Sequence, residues 1–251
     1  MTNRLISKAL SLLFIISISI NFTACTVFEE KDESEWTVKE FYDYAKDYYD
    51  SGQWQSAINY YEKLKAYFPY GTYAEQSYLE LAHAYYKFGE PLSAKRELDE
   101  FIRIYPKHSE LAYAYYLKAL AIDSINKSWF DDWLTDPATR DMKSTKEAYN
   151  AYKKLLIRFP NSKYSATSRK RLIVLRNTLA RHEYKVAEFY YNRKSYLAAI
   201  TRAKIVIEQY PRSQVNIAAL EVMRNAYYKL GMVPNAENTQ QMIDFNTQNP
   251  S

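Results

Sequence analysis

The chain has 251 residues, 47% of them apolar and 25% charged, which is enough to bury one or two ordinary cores. With 26 Tyr, only 4 Gly and hardly any apolar/polar alternation, a β-rich fold is excluded and an almost wholly helical protein is expected. A single Cys excludes an internal disulfide, and the formal charge of +5 is split, with 13 Lys/Arg against 22 Asp/Glu over residues 29–141 and 17 against 4 over residues 143–212.

The first residues read as an export signal. Arg4 and Lys8 precede an apolar run over residues 9–20, and Phe22-Thr23-Ala24 leads into Cys25. Twelve helical residues rise about 18 Å, too short for a hydrocarbon core of about 30 Å, so residues 1–24 fit a removed signal peptide. The cysteine directly after Thr-Ala resembles a bacterial lipobox, with Phe22 in place of the usual Leu. This makes Cys25 the expected lipidation site, and Thr26 after it resembles lipoproteins sorted to the outer membrane. Two or three acyl chains would hold the protein stably on a bilayer without spanning it. Residues 25–36, rich in charge, then serve as anchor and tether.

From residue 37 the chain repeats itself. Tyr48, Gly52, Ala57 and Pro69 recur 37 residues later as Tyr85, Gly89, Ala94 and Pro106, and Tyr190, Lys194 and Ala199 recur as Tyr227, Gly231 and Ala236. A period in this range marks a solenoid whose units bury their apolar faces on one another. Small residues at Ala45 and Ala57, or Ala82 and Ala94, let paired helices approach closely. Gly52 and Gly89 suit a left-handed helix end, and Pro69 and Pro106 stop the second helix. These offsets match the tetratricopeptide (TPR) pattern.

The expected fold is therefore all-α: a TPR solenoid of about five helix-turn-helix repeats and about ten helices, in two groups joined by a long helix. Residues 37–142 hold repeats 1 and 2 and the start of an interrupted repeat 3, where Ala119 and Ala148 lie 29 residues apart rather than 12. The insert of about 17 residues carries Trp129, Phe130, Trp133, Leu134 and Pro137. Its aromatics either fold back on neighbouring helices or form a docking patch. Residues 143–251 complete repeat 3 and continue through the long helix into repeats 4 and 5. No Gly or Pro occurs between Asn161 and Pro211, so one helix is expected from residue 164 to about 192. Lys194 stands where the other units have Gly.

No constellation for catalysis emerges. His83, His108 and His182 fall in separate repeats without Cys, Asp or Glu at metal-ligand spacing, and four glycines could hardly build a phosphate loop. No enzyme activity, cofactor or metal is expected. In TPR proteins the first helix of each unit lines the concave face, which nominates Lys39, Tyr42, Lys46, Tyr49 and Asp50, then Gln76, Leu79, His83, Tyr86 and Lys87. The mix suits an extended peptide, with aromatic shelves for apolar side chains and Lys46 and Lys87 available to a carboxylate. Tyr49 and Tyr86 alternatively pad the neighbouring helices. In the basic half, Arg169, Lys170, Arg171, Arg176 and Arg181 are candidates for an acidic partner surface. Export beyond the cytoplasm argues against nucleic acid.

Four stretches sharpen the resemblance: Phe68-Pro69-Tyr70-Gly71-Thr72-Tyr73-Ala74, then Ala84-Tyr85-Tyr86-Lys87, then Phe101-Ile102-Arg103 with Pro106, and later Val186-Ala187-Glu188-Phe189-Tyr190. Together with the repeat-3 insert and the lipidated start, they resemble the TPR lipoprotein family of the outer-membrane β-barrel assembly (BAM) machinery. That resemblance implies a lipid-anchored protein on the periplasmic face of the outer membrane. Its N-terminal repeats would bind C-terminal targeting segments of unfolded outer-membrane proteins, and its C-terminal repeats the periplasmic domains of the central barrel subunit. Other BAM lipoproteins are implied partners. Two other classes stay open from the residues alone, a TPR pilot lipoprotein for pilus or secretin assembly and a periplasmic scaffold for cell-wall synthesis.

Overall fold

Ten α-helices and no strand occur among the described residues of the computed structural model, which are 32–125 and 142–248. The signal segment, Cys25 and the insert aromatics lie outside them. Residues 32–37 fall in a unit separate from the helical array, and within it Glu33–Glu35 makes one 3-10 turn capped by Asp32, whose Oδ1 accepts from the Ser34 N–H at 2.8 Å.

The array runs α1 (Val38–Asp50), α2 (Trp54–Tyr67), α3 (Thr72–Phe88), α4 (Pro91–Ile104), α5 (Leu111–Ser124), α6 (Met142–Arg158), α7 (Ser165–Asn192), α8 (Tyr196–Gln209), α9 (Asn216–Lys229) and α10 (Val233–Gln248). Every helix packs on the next in sequence, and first helices of successive repeats also touch, α1 on α3 and α3 on α5. This is the stacking the 37-residue period demands. The small residues sit at the contacts, with Ala45, Ala57, Ala82, Ala94, Ala119, Ala148, Ala187, Ala199 and Ala236 all fully buried. Ala119 and Ala148 pack in one cluster with Tyr152 and Leu175, so repeat 3 closes across its insert.

Four first helices end in the same hydrogen-bonded turn. Gly52, Gly89, Lys194 and Gly231 have φ of 73°, 90°, 63° and 71°. In each case the following residue donates its N–H to the carbonyl of the repeated tyrosine: Gln53 to Tyr48 (2.9 Å), Glu90 to Tyr85 (2.8 Å), Ser195 to Tyr190 (2.9 Å) and Met232 to Tyr227 (3.0 Å). That six-to-one bond, with the left-handed residue bonding one carbonyl further on, is a Schellman motif. The period-37 tyrosine thus has a backbone duty as well as a packing one. Lys194 is the only non-glycine residue with positive φ among the described residues.

The long helix is present as α7, 28 residues and about 42 Å of rise. Its first half supplies Leu172 and Leu175 to the repeat-3 core. Its second half supplies Leu179, Ala180 and Ala187 to the C-terminal core with Ile200, Val206 and Leu220. One uninterrupted helix therefore belongs to both ends of the array.

Candidate binding groove

The side chains nominated on α1 and α3 are organised around a carboxylate. Glu80, on α3, is 8% exposed, and its oxygens accept from Tyr61 Oη at 2.6 Å, Gln76 Nε2 at 3.0 Å and Tyr42 Oη at 3.3 Å. The Lys46 ammonium stands 3.8 Å from Glu80 and 2.5 Å from Asp50, and 4.6 Å above the Tyr49 ring. A buried carboxylate is tolerated only when donors converge on it, and α1, α2 and α3 each contribute at least one.

One turn along α3, Tyr49 Oη lies 2.5 Å from His83 Nδ1, and Trp54 meets Tyr49 and His83 edge-on, at 5.5 and 6.0 Å between ring centroids. Burial, then the neighbouring Lys87, hold His83 below its ordinary 6.5, against an opposing pull from Glu80. Burial, then the charges of Glu80 and Asp50, push Tyr49 up to about 12. Either group can supply the proton of this bond, according to which imidazole nitrogen carries the hydrogen. Burial and the same Glu80 charge raise Tyr42 and Tyr61, and Tyr113 on α5 is raised by burial, with Tyr49 and Glu80 contributing. Tyrosines of α1, α2 and α5 thus lie around one carboxylate of α3.

Of the residues nominated from sequence, Tyr42, Lys46, Tyr49, Gln76 and His83 join this network. Lys39 pairs with Asp43 at 2.5 Å on the exposed side of α1. Tyr86 is half-buried between two core clusters, and Lys87 is exposed in the last turn of α3. Leu79 is a correction. It is 3% exposed and packs with Leu98, Phe101 and Leu111 in the core, so it cannot face a ligand. Glu80, the hub, was missed. The signal was present, since Gln76, Glu80, His83 and Lys87 are spaced four, three and four residues apart and fall on one helical stripe.

The basic candidates on α7 separate into different roles. Arg171 donates to both oxygens of the buried Asp123 on α5, at 2.6 and 2.9 Å. This changes the reading of Arg171 as part of an outward surface: the bidentate pair commits its guanidinium to a partner within the chain, with 33% of the side chain still exposed. Arg169 donates to the Pro160 carbonyl at 2.7 Å across the α6–α7 turn. Burial lowers the pKa of Arg176, and its guanidinium reaches Asn177 at 3.4 Å. Lys170 and Arg181 are exposed, and Arg181 borders a shallow depression with Val174, Thr178 and Val215.

Among the described residues no group of three His, Cys, Asp or Glu could hold a metal, and no helix is long and apolar enough to cross a membrane. Paired helices with small residues at their crossings, a repeated Schellman turn and an inner wall of polar aromatic side chains define a TPR-repeat protein. A family model described as YfiO, outer membrane lipoprotein, matches residues 34–242. The chain is 33% identical over 237 residues to the outer membrane protein assembly factor BamD of Xylella fastidiosa (strain 9a5c), covering 94% of this chain and 81% of that one. It is 33% identical over 245 residues to BamD of Neisseria meningitidis serogroup A, covering 94% and 90%, and 32% identical over 208 residues to BamD of Vibrio cholerae serotype O1, covering 82% and 86%. The chain belongs to the BamD family of outer membrane protein assembly factors.

Proposed function

We propose that this chain is a lipoprotein component of the outer-membrane β-barrel assembly machinery, acting as an adaptor and not as a catalyst. The observation that carries this is the family match, which extends over nearly the whole helical array, residues 34–242. In this proposal acyl chains on Cys25 hold the protein at the periplasmic face of the outer membrane. The inner wall of the first two repeats takes extended targeting segments of unfolded outer-membrane proteins. The exposed cations of α7, Lys170 and Arg181, face the periplasmic domains of the barrel subunit, and other lipoproteins of the machine complete the assembly. The groove part is supported by side chains with large apolar faces and polar tips on a rigid wall, which suits an extended peptide.

Affinity purification of the full chain from membranes tests the proposal. The barrel subunit and its lipoproteins are the expected partners; recovery of pilus, secretin or cell-wall synthesis components in their place overturns it. Cys25→Ala is expected to move the protein from the membrane to the soluble fraction, and retention on the membrane would remove the anchor assignment. For the groove, a short peptide ending in an aromatic residue should bind the wild type and lose at least tenfold in affinity to a Tyr49→Ala, Tyr86→Ala double variant. Equal affinity rules the groove out.

A further inference from the structure

Several donors on the inner wall of repeats 1 and 2 are directed to Glu80 within the chain. Tyr61 and Tyr42 donate to Glu80, as does the Gln76 amide. Tyr49 Oη is hydrogen-bonded to His83 Nδ1 at 2.5 Å. The Lys46 ammonium is held between Asp50 and Glu80, so one positive charge faces two negative ones. What the half-buried Tyr42 can still offer outward is the lone pairs of its hydroxyl oxygen, since it has one proton and directs it inward to Glu80. An oxygen that donates to an anion is also a better acceptor, because chains of hydrogen bonds polarise one another.

Around Glu80, two carboxylates thus face one ammonium, which leaves a local excess of negative charge. From this arrangement we infer that Glu80 sets the ligand chemistry of the groove: it favours segments that present N–H donors and disfavours a free terminal carboxylate. The inference rests on the peptide-groove proposal above and deepens it. It also reverses the sequence-based expectation that Lys46 would receive a carboxylate, because Asp50 and Glu80 already do so within the chain. Lys87 lies seven residues further along α3, about 10 Å, and is exposed.

The test uses one short peptide ending in an aromatic residue, prepared as the free acid and as the C-terminal amide, with binding to the full mature chain measured by calorimetry. The amide is expected to bind about three- to tenfold more tightly than the acid, the size of an unscreened unit-charge effect across several ångströms of groove. In Glu80→Gln, which keeps the side-chain volume and an acceptor for Tyr61, the ratio should fall to about one, mainly through tighter binding of the acid. A ratio of one or below in the wild type, or an unchanged ratio in Glu80→Gln, overturns the role of Glu80 while leaving the groove itself intact. Failure of both forms to bind the wild type removes the groove and this inference together. If Glu80→Gln does not fold, the salt dependence of the wild-type ratio decides: the amide preference should shrink as salt rises, and a salt-independent ratio overturns the electrostatic origin.

Discussion

Lys194 occupies a backbone conformation that three glycines occupy elsewhere in the same array, and replacing it with Gly should stabilise the protein. Its φ of 63° closes α7 through the Ser195-to-Tyr190 bond, as Gly231 at 71° closes α9. A residue with a Cβ loses about 1–2 kcal/mol in the left-handed region. Glycine's greater freedom in the unfolded chain offsets about 0.5–1 kcal/mol of that relief. The net gain for Lys194→Gly is then about 0.5–1 kcal/mol, or about 1–4 °C in Tm for a folded region of this size. Lys194 is exposed, so little packing is lost. The reciprocal Gly231→Lys should lower Tm by a similar amount, and since no atom lies within 4 Å of an added Cβ there, the loss would come from the backbone alone. Thermal unfolding followed by circular dichroism measures both. If Lys194→Gly fails to raise Tm, or Gly231→Lys fails to lower it, the equivalence of the four turns is refuted.

Two further outcomes are expected. Arg171→Ala leaves the Asp123 carboxylate buried without its bidentate partner and should destabilise by about 2–4 kcal/mol, whereas the adjacent exposed Lys170→Ala should change stability by less than about 0.5 kcal/mol; urea midpoints compare them, and equal effects sink the staple. His83 has its folded pKa depressed by burial and Lys87, so the folded state resists protonation: stability is full above about 6.5 and is lost as pH falls toward the lower folded value. Denaturant midpoints between pH 7.5 and pH 5 should therefore drop further in the wild type than in His83→Gln, and parallel curves would contradict the depressed pKa.

Much of the array was legible because its determinants are local. Small residues at fixed offsets, a left-handed position and a proline per unit each act within a few residues, and the absence of Gly and Pro across α7 foretold one helix. The errors at the groove come from angle. At about 100° per residue, Gln76, Glu80, His83 and Lys87 fall within about 40° of a common direction, while Leu79 lies about 60° to one side of Gln76 and Tyr86 about 80° to the same side. Leu79 therefore turns into the core against Leu98 and Leu111, and Tyr86 ends half-buried. Counting offsets without that rotation admits Leu79 and passes over Glu80. Arg171 was misjudged for a different reason. The run Arg169-Lys170-Arg171 reads as uniformly basic, and the carboxylate that singles out its last member is 48 residues earlier, visible only once α7 is docked beside α5.

That pair also bears on how the two ends of the protein are joined. Asp123 lies close enough to Tyr86 and Tyr152 that its charge, after burial, raises the pKa of both phenols. Tyr86 follows the groove's His83 by three residues on α3, and Arg171 is on α7 four residues before Leu175, which packs in the repeat-3 core. Asp123 of α5 thus stands near Tyr86 of α3 and is hydrogen-bonded to Arg171 of α7, the helix that carries Lys170 and Arg181. Contiguity is not coupling, which requires an element with two arrangements that both sites bias. α7 is poorly suited to be that element, because its 28 residues are shared between the repeat-3 core and the C-terminal core, with no Gly or Pro to bend it. A helix packed into both cores ties the repeat-3 core to the C-terminal core. Such a link suits the adaptor role proposed above.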